Sequence, residues 1–182
     1  MDAVALWEWN DARSNEPSQS EPAFHWRWQD VELLFDLAVA ATDTNALERR
    51  VVNLKNSAPP ADYIAATTNI NCGFQIFMPG EKARPHRHNM NALRLVVEGE
   101  GAATIVHGKS CLMEIGDLII TPAMTWHEHV HEGTEGHVVW MDSLDAALVR
   151  HLQCVHFQPG LAQEYPALPP ERAFTGAGFV PA

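Results

Sequence analysis

From Ala92 onward, apolar and polar residues alternate in short runs, most of them closed by a turn that carries glycine. The runs are Ala92 to Val97, Ala102 to Val106, Ser110 to Met113, Leu118 to Thr121, Trp126 to Val130 and His137 to Met141. Between them lie Glu98-Gly99-Glu100-Gly101, His107-Gly108-Lys109, Ile115-Gly116-Asp117 and the stretch from Glu132 to Gly136. A period of two punctuated by glycine predicts short antiparallel strands joined by tight turns, hence a sandwich or barrel. Upstream, Thr67 to Met78 reads as the first barrel strand, ended by Pro79-Gly80. Arg50 to Leu54 reads as a strand broken by Ser57-Ala58-Pro59-Pro60. Over Val31 to Ala41 the period lengthens to about 3.6, with Val31, Leu34, Phe35, Leu37 and Ala38 as the apolar stripe and Asp30 as the cap of a helix. A second, closing helix is predicted over Asp145 to Leu152.

The ends of the chain lack this patterning. Before residue 24, Trp7 and Trp9 precede a polar run rich in Asn, Glu, Pro and Ser, which predicts an extended arm pinned by its aromatics or wrapped round a partner subunit. His25, beside Trp26 and Trp28, is read as structural. The proline-rich stretch after Pro159 predicts a tail lying on the surface. The expected divisions are therefore 1–66, an arm and helix packed on the barrel; 67–158, the barrel; and 159–182, the tail.

Composition narrows the partners. The chain has 182 residues, 46% of them hydrophobic, and a formal net charge of −11. No apolar run approaches the ~18 residues of a membrane span. The acidic balance disfavours nucleic acid and anionic membranes, both of which need a basic surface. Cys72, Cys111 and Cys154 are odd in number and form no C-x-x-C, so they are expected to be free, with Cys111 and Cys154 buried. With no basic, then apolar, amino-terminal stretch, the sequence predicts a cytoplasmic protein. The tryptophan-rich arm and the broad sheet faces predict a homo-oligomer.

Chemistry concentrates in two clusters, Pro85-His86-Arg87-His88 and Trp126-His127-Glu128-His129. Alternate side chains of a strand share a face, so each H-x-H pair can aim two imidazoles at one interior point. Imidazole binds iron, zinc, copper or nickel well. A lone H-x-H on a strand is more often bland than a ligand pair. Two of them, each framed by turn residues, are harder to dismiss. His131 continues the row but borders Glu132-Gly133, and it is expected to be exposed. His107, His137, His151 and His156 have no motif around them and are expected to be solvated or locally satisfied.

The two framed clusters resemble the paired motifs of the cupin superfamily, an all-β double-stranded β-helix, or jelly-roll barrel, with a metal inside. The resemblance implies this fold with an N-terminal helical and extended arm. Cupins usually add a glutamate ligand, and by register that place is Ala92, which leaves His86, His88 and His127 as the implied metal ligands. A narrower resemblance rests on Ala92-Leu93-Arg94-Leu95-Val96-Val97-Glu98-Gly99, Thr121-Pro122, Thr125-Trp126-His127-Glu128-His129 and Trp140-Met141-Asp142. Together with Leu6-Trp7-Glu8, Trp26-Arg27-Trp28 and Glu48-Arg49-Arg50, these look like the amino-terminal half of gentisate 1,2-dioxygenases and their salicylate and 1-hydroxy-2-naphthoate relatives. That family usually carries a second cupin domain beyond this point.

This resemblance implies an Fe(II) cofactor, with Zn, Ni or Mn as alternatives in isolated protein, and cleavage of a hydroxylated aromatic acid by O2. It also implies substrate contacts at Arg94, Arg50 and Gln75, and supporting catalytic roles for His129 and Asp142. The residues themselves agree with parts of this. Three neutral imidazoles leave a divalent ion its full charge, which favours an anionic chelator. An arginine directed into a barrel needs an anion, and Arg94 could meet either a substrate carboxylate or an internal acid such as Asp142. Asp142 could equally hold His129. Ala123-Met124 and Asn71 depart from the family pattern and would reshape the pocket. Two other readings stay open: a metal-dependent cupin oxygenase, cyclase or isomerase without ring cleavage, and a non-catalytic cupin binding domain.

Overall fold

The computed structural model describes residues 21–42, 49–57 and 63–160. The predicted arm before residue 21 and the tail after residue 160 fall outside the described residues. In chain order the elements are α1 (Trp28–Ala41), β1 (Val51–Leu54), β2 (Asn71–Phe77), β3 (Lys82–His88), β4 (Ala92–Glu98), β5 (Ala102–Val106), β6 (Lys109–Leu112), β7 (Leu118–Thr121), β8 (His127–His131), β9 (Val138–Leu144), α2 (Ala146–His151) and β10 (Phe157–Pro159). They form two five-stranded sheets, β1-β2-β9-β4-β7 and β10-β3-β8-β5-β6. Every strand pairing is antiparallel. The chain crosses repeatedly from one sheet to the other, so the all-β jelly roll expected from the alternating pattern is the architecture observed.

The core lies between the sheets. Phe77, Val96, Ile119, Val138 and Trp140 from the first sheet meet Ala83, Ala102 and Met113 from the second side. Each large side chain buried here contributes roughly 1.5–3 kcal/mol relative to exposure. β2 is buried continuously from Gly73 to Phe77 rather than in alternation. The reason is a second cover: Val31 and Phe35 of α1 pack on Phe74, Ile76 and Val139 on the outer face of that sheet. The Phe35 and Phe74 ring centroids lie 5.3 Å apart, and Trp28 meets both rings edge-on.

Several expectations are corrected in detail. α1 begins at Trp28, ahead of the predicted start, and its N-cap is Arg27 with no side-chain capping bond. Asp30 sits inside the first turn and receives Arg27 Nε at 2.7 Å. Leu34 and Leu37 of the predicted stripe face outward. Strand β1 belongs to the first sheet rather than to the division expected to pack outside the barrel, and β10 has no counterpart in the alternating pattern. Cys111 is buried as expected, but Cys154 is exposed because it follows α2 on the surface. His131 is fully buried rather than exposed. Its row does continue inward, and the turn after β8 folds back over the ring: Gly133 N donates to Nδ1 at 3.1 Å and Nε2 lies 3.2 Å from the Gly136 carbonyl.

One irregularity sets the site. Ala83 pairs with His129 and His86 with His127, so three steps on β3 oppose two on β8. This bulge contains Arg84 and Pro85, and proline suits a bulge because it has no N–H to offer the ladder. Ala83 and His86 are both buried as a result, whereas strict alternation from Ala83 would turn His86 outward.

Candidate metal centre and adjoining cavity

β3 brings His86 and His88 to the interior and β8 brings His127 opposite His86. Ring centroids are 4.2 Å apart for His86 and His127, 4.9 Å for His88 and His127, and 5.6 Å for His86 and His88. One nitrogen of each ring lies within 4.8 Å of the other two, and this is the one such cluster among the described residues. The remaining nitrogens are engaged in a uniform way. Nδ1 of His86 lies 2.8 Å from the Arg84 carbonyl, Nδ1 of His88 lies 2.8 Å from the Met90 carbonyl, and Nδ1 of His127 lies 2.9 Å from the Thr125 carbonyl. A carbonyl only accepts, so each Nδ1 carries the proton and each Nε2 keeps its lone pair. His127 Nε2 is buried with no hydrogen-bond partner. An orphaned acceptor costs about 1–3 kcal/mol, a penalty that a metal ion would remove.

The electrostatics point the same way. His86 is pushed down to about 4, by burial first and then by the Arg49 guanidinium. His127 is lowered further, by burial and then by Arg94, and His88 is lowered mainly by burial. The triad is therefore neutral at pH 7, the form that binds metal. Ala92, where cupins usually supply a carboxylate, is fully buried. The donor set fits a divalent ion held by three imidazoles with further positions open for other ligands.

Beside the triad is a cavity of about 230 Å³ reached by His88, Gln75, Arg94 and Asp142, with Val51, Gly73 and Leu144 on its apolar side. Arg94 enters from β4, in the sheet opposite β3. It shares the interior with His88 because two sheets face each other, and the regular continuation of one strand plays no part. Arg94 Nε is 3.0 Å from Asp142 Oδ1, an ion pair without hydrogen-bond alignment. Trp140 Nε1 donates to Asp142 Oδ2 at 3.2 Å. Burial lowers the Arg94 pKa and raises that of Asp142, and each partner's charge opposes the other's shift. Gln75 is buried and its Nε2 has no hydrogen-bond partner, so it is a donor available to a ligand.

His129 is buried on the same row as His127. Its ring packs against Trp140 and Phe77, and its Nδ1 lies 3.0 Å from Thr104 Oγ1. Burial and then Arg94 hold it well below the usual histidine range. Arg50 is not brought to the cavity. Its two terminal nitrogens donate to Glu81 Oε1 and Oε2 at 3.0 Å each, and Nη1 also reaches the Ile76 carbonyl. The neighbouring Arg49 does line the cavity, with Val51 and Asn53. A signal for this existed in the sequence, since residues two apart on a strand share a face. The pattern alone did not say which face was inside.

Residues 73–144 match the family model described as Cupin domain. A gentisate 1,2-dioxygenase from Ralstonia sp is 40% identical over 167 residues, covering 92% of this chain and 47% of that protein. A 1-hydroxy-2-naphthoate 1,2-dioxygenase from Nocardioides sp. (strain KP7) is 38% identical over 137 residues, covering 75% of this chain and 35% of that protein. Among solved structures, a salicylate 1,2-dioxygenase from Pseudaminobacter salicylatoxidans superposes with a TM-score of 0.80 at 29% identity, covering 91% of this chain and 47% of that one. The chain thus spans about half the length of the curated relatives it matches.

Proposed function

Given that the chain carries a cupin domain similar to half of a gentisate-type dioxygenase, we propose that it takes part in opening the ring of a hydroxylated aromatic acid with O2, using Fe(II) at His86, His88 and His127. The observation that carries this reading is the convergence of three imidazoles, with His127 Nε2 lacking any hydrogen-bond partner, beside a cavity walled by Arg94 and Gln75. Gentisate, salicylate and 1-hydroxy-2-naphthoate, the acids for which the relatives are named, each place a carboxylate next to a hydroxyl. Iron bound at the triad would supply a Lewis-acidic centre that binds those two oxygens and activates O2.

The chain's own residues divide the remaining work. Arg94, held by Asp142 at Nε and by Thr121 Oγ1 at Nη1, offers its remaining guanidinium N–H groups to the carboxylate. Gln75 Nε2 donates a hydrogen bond and fixes the ring's orientation. The apolar wall of Val51 and Leu144 receives the ring. His129, neutral and dry, can take or hand on a proton beside the triad through a ring whose Nδ1 is steadied by Thr104. Arg50, bidentate to Glu81, holds the start of β1 rather than the substrate.

The test is turnover. After anaerobic reconstitution with Fe(II), oxygen uptake and ultraviolet absorbance are followed with gentisate, salicylate and 1-hydroxy-2-naphthoate in turn. Uptake matched mole for mole by loss of one aromatic is the expected result. Metal bound tightly with no uptake on any of the three would overturn ring cleavage for this chain. The outward-facing Leu93, Leu118 and Ile120 support the expected self-association. Sedimentation equilibrium that finds only monomer at micromolar concentration would contradict it.

A further inference from the structure

Three arginines stand close to the cavity, and their partners differ. Arg94 is paired with Asp142 and Arg50 with Glu81. Arg49 has a histidine instead: its Nη1 lies 3.4 Å from His86 Nε2. Because His86 Nδ1 is held by the Arg84 carbonyl, Nε2 is the acceptor of that contact, and the guanidinium donates to the lone pair that a metal ion would use. A guanidinium and a divalent cation cannot share one imidazole lone pair, and their charges repel. Arg49 also lines the cavity next to Gln75 and Arg94, where a carboxylate would attract it.

We propose that Arg49 is a positioning residue that couples occupancy of the histidine triad to binding of an anion in the cavity. Metal displaces the guanidinium from His86 and makes it available to the anion. An anion draws it from His86 and eases metal entry. Linkage makes the two effects equal, and such couplings are typically about 5- to 150-fold. This inference rests on the metal site proposed above, and adds to it a second arginine that acts on the metal's ligand rather than only on the substrate.

The experiment titrates the full chain with Co(II), read by its visible absorption against a competing chelator, with and without salicylate. Arg49→Gln is compared with wild type and with Lys82→Gln, which removes the same charge from an exposed strand position. Without salicylate, Arg49→Gln is expected to bind Co(II) about 5-fold more tightly, while Lys82→Gln stays near wild type. Salicylate should tighten Co(II) binding in wild type well beyond its effect in Arg49→Gln, and the difference isolates the arginine's share from direct chelation. A residue that merely braced the site would change metal affinity in the opposite direction when removed. Unchanged or weaker Co(II) affinity in a folded Arg49→Gln chain would overturn the coupling and leave the metal site standing. Failure of wild type itself to take Co(II) would overturn both.

Discussion

His127 and His131 lie on one strand, point to one side and are equally inaccessible to solvent, yet they are chemically opposite. At His131 both ring nitrogens have a backbone partner, supplied by the turn that closes over it. At His127 only Nδ1 has one, and Nε2 is left bare beside His86 and His88, whose Nδ1 atoms also meet backbone carbonyls. Burial alone therefore does not mark a ligand. What marks it is a lone pair left without a partner at a point where two other imidazoles converge.

The largest effect that would break this contrast is at the triad. His88→Ala should lose bound metal and turnover together, because two imidazoles remain where three were needed, while the fold persists on its inter-sheet core. Metal analysis and thermal melting of the same sample check both halves. Next in size is Arg94→Lys, which keeps a positive charge beside Asp142 but removes the planar fork. It should retain metal and raise KM for the aromatic acid about 10- to 100-fold, and steady-state kinetics at saturating Fe(II) would detect it.

The pH response sharpens the same contrast. His86 is held neutral, its pKa moved down from 6.5 to about 4. Between those values the unfolded chain binds a proton that the folded chain does not. Its contribution is complete above about pH 6.5 and lost as pH falls toward 4, on the order of 3 kcal/mol for the chelator-treated chain. Urea midpoints across that range would reveal the slope, and a flat profile would contradict it. The smallest effect belongs to the other end of β8. A Cβ at Gly133 would meet His131 Cε1 at 2.6 Å. Gly133→Ala should therefore destabilise by about 1–3 kcal/mol with metal content untouched, as denaturation and metal assay together would establish.

Much of this was legible in the chain. Ala102 to Val106 and Leu118 to Thr121 emerged with their observed ends, because glycine turns bound the first on both sides and a glycine turn and Pro122 bound the second. The two H-x-H clusters were legible from alternation, and the cupin resemblance implied His86, His88 and His127 among their four histidines. The bulge at Arg84 and Pro85 was not placed, since Pro85 is a local sign of irregularity but the register shift itself depends on the partner strand. The resemblance implied a substrate contact at Arg50, whereas packing pairs Arg50 with Glu81 and brings Arg49 to the cavity, a selection of faces that alternation does not make. His131 was misjudged because the Gly133 and Gly136 backbone that satisfies it carries no side-chain signal. Cys154 departs from expectation because Leu152, Cys154 and Val155, apolar in sequence, come out on the surface once α2 has turned.

The central claim is that an unsatisfied Nε2, rather than burial, makes the metal site. Anaerobic Fe(II) titration of wild type, His131→Ala and His127→Ala tests it most directly. Wild type and His131→Ala should each hold about one equivalent of iron per chain and His127→Ala should hold none. Iron retained by His127→Ala, or lost from a folded His131→Ala, would contradict it.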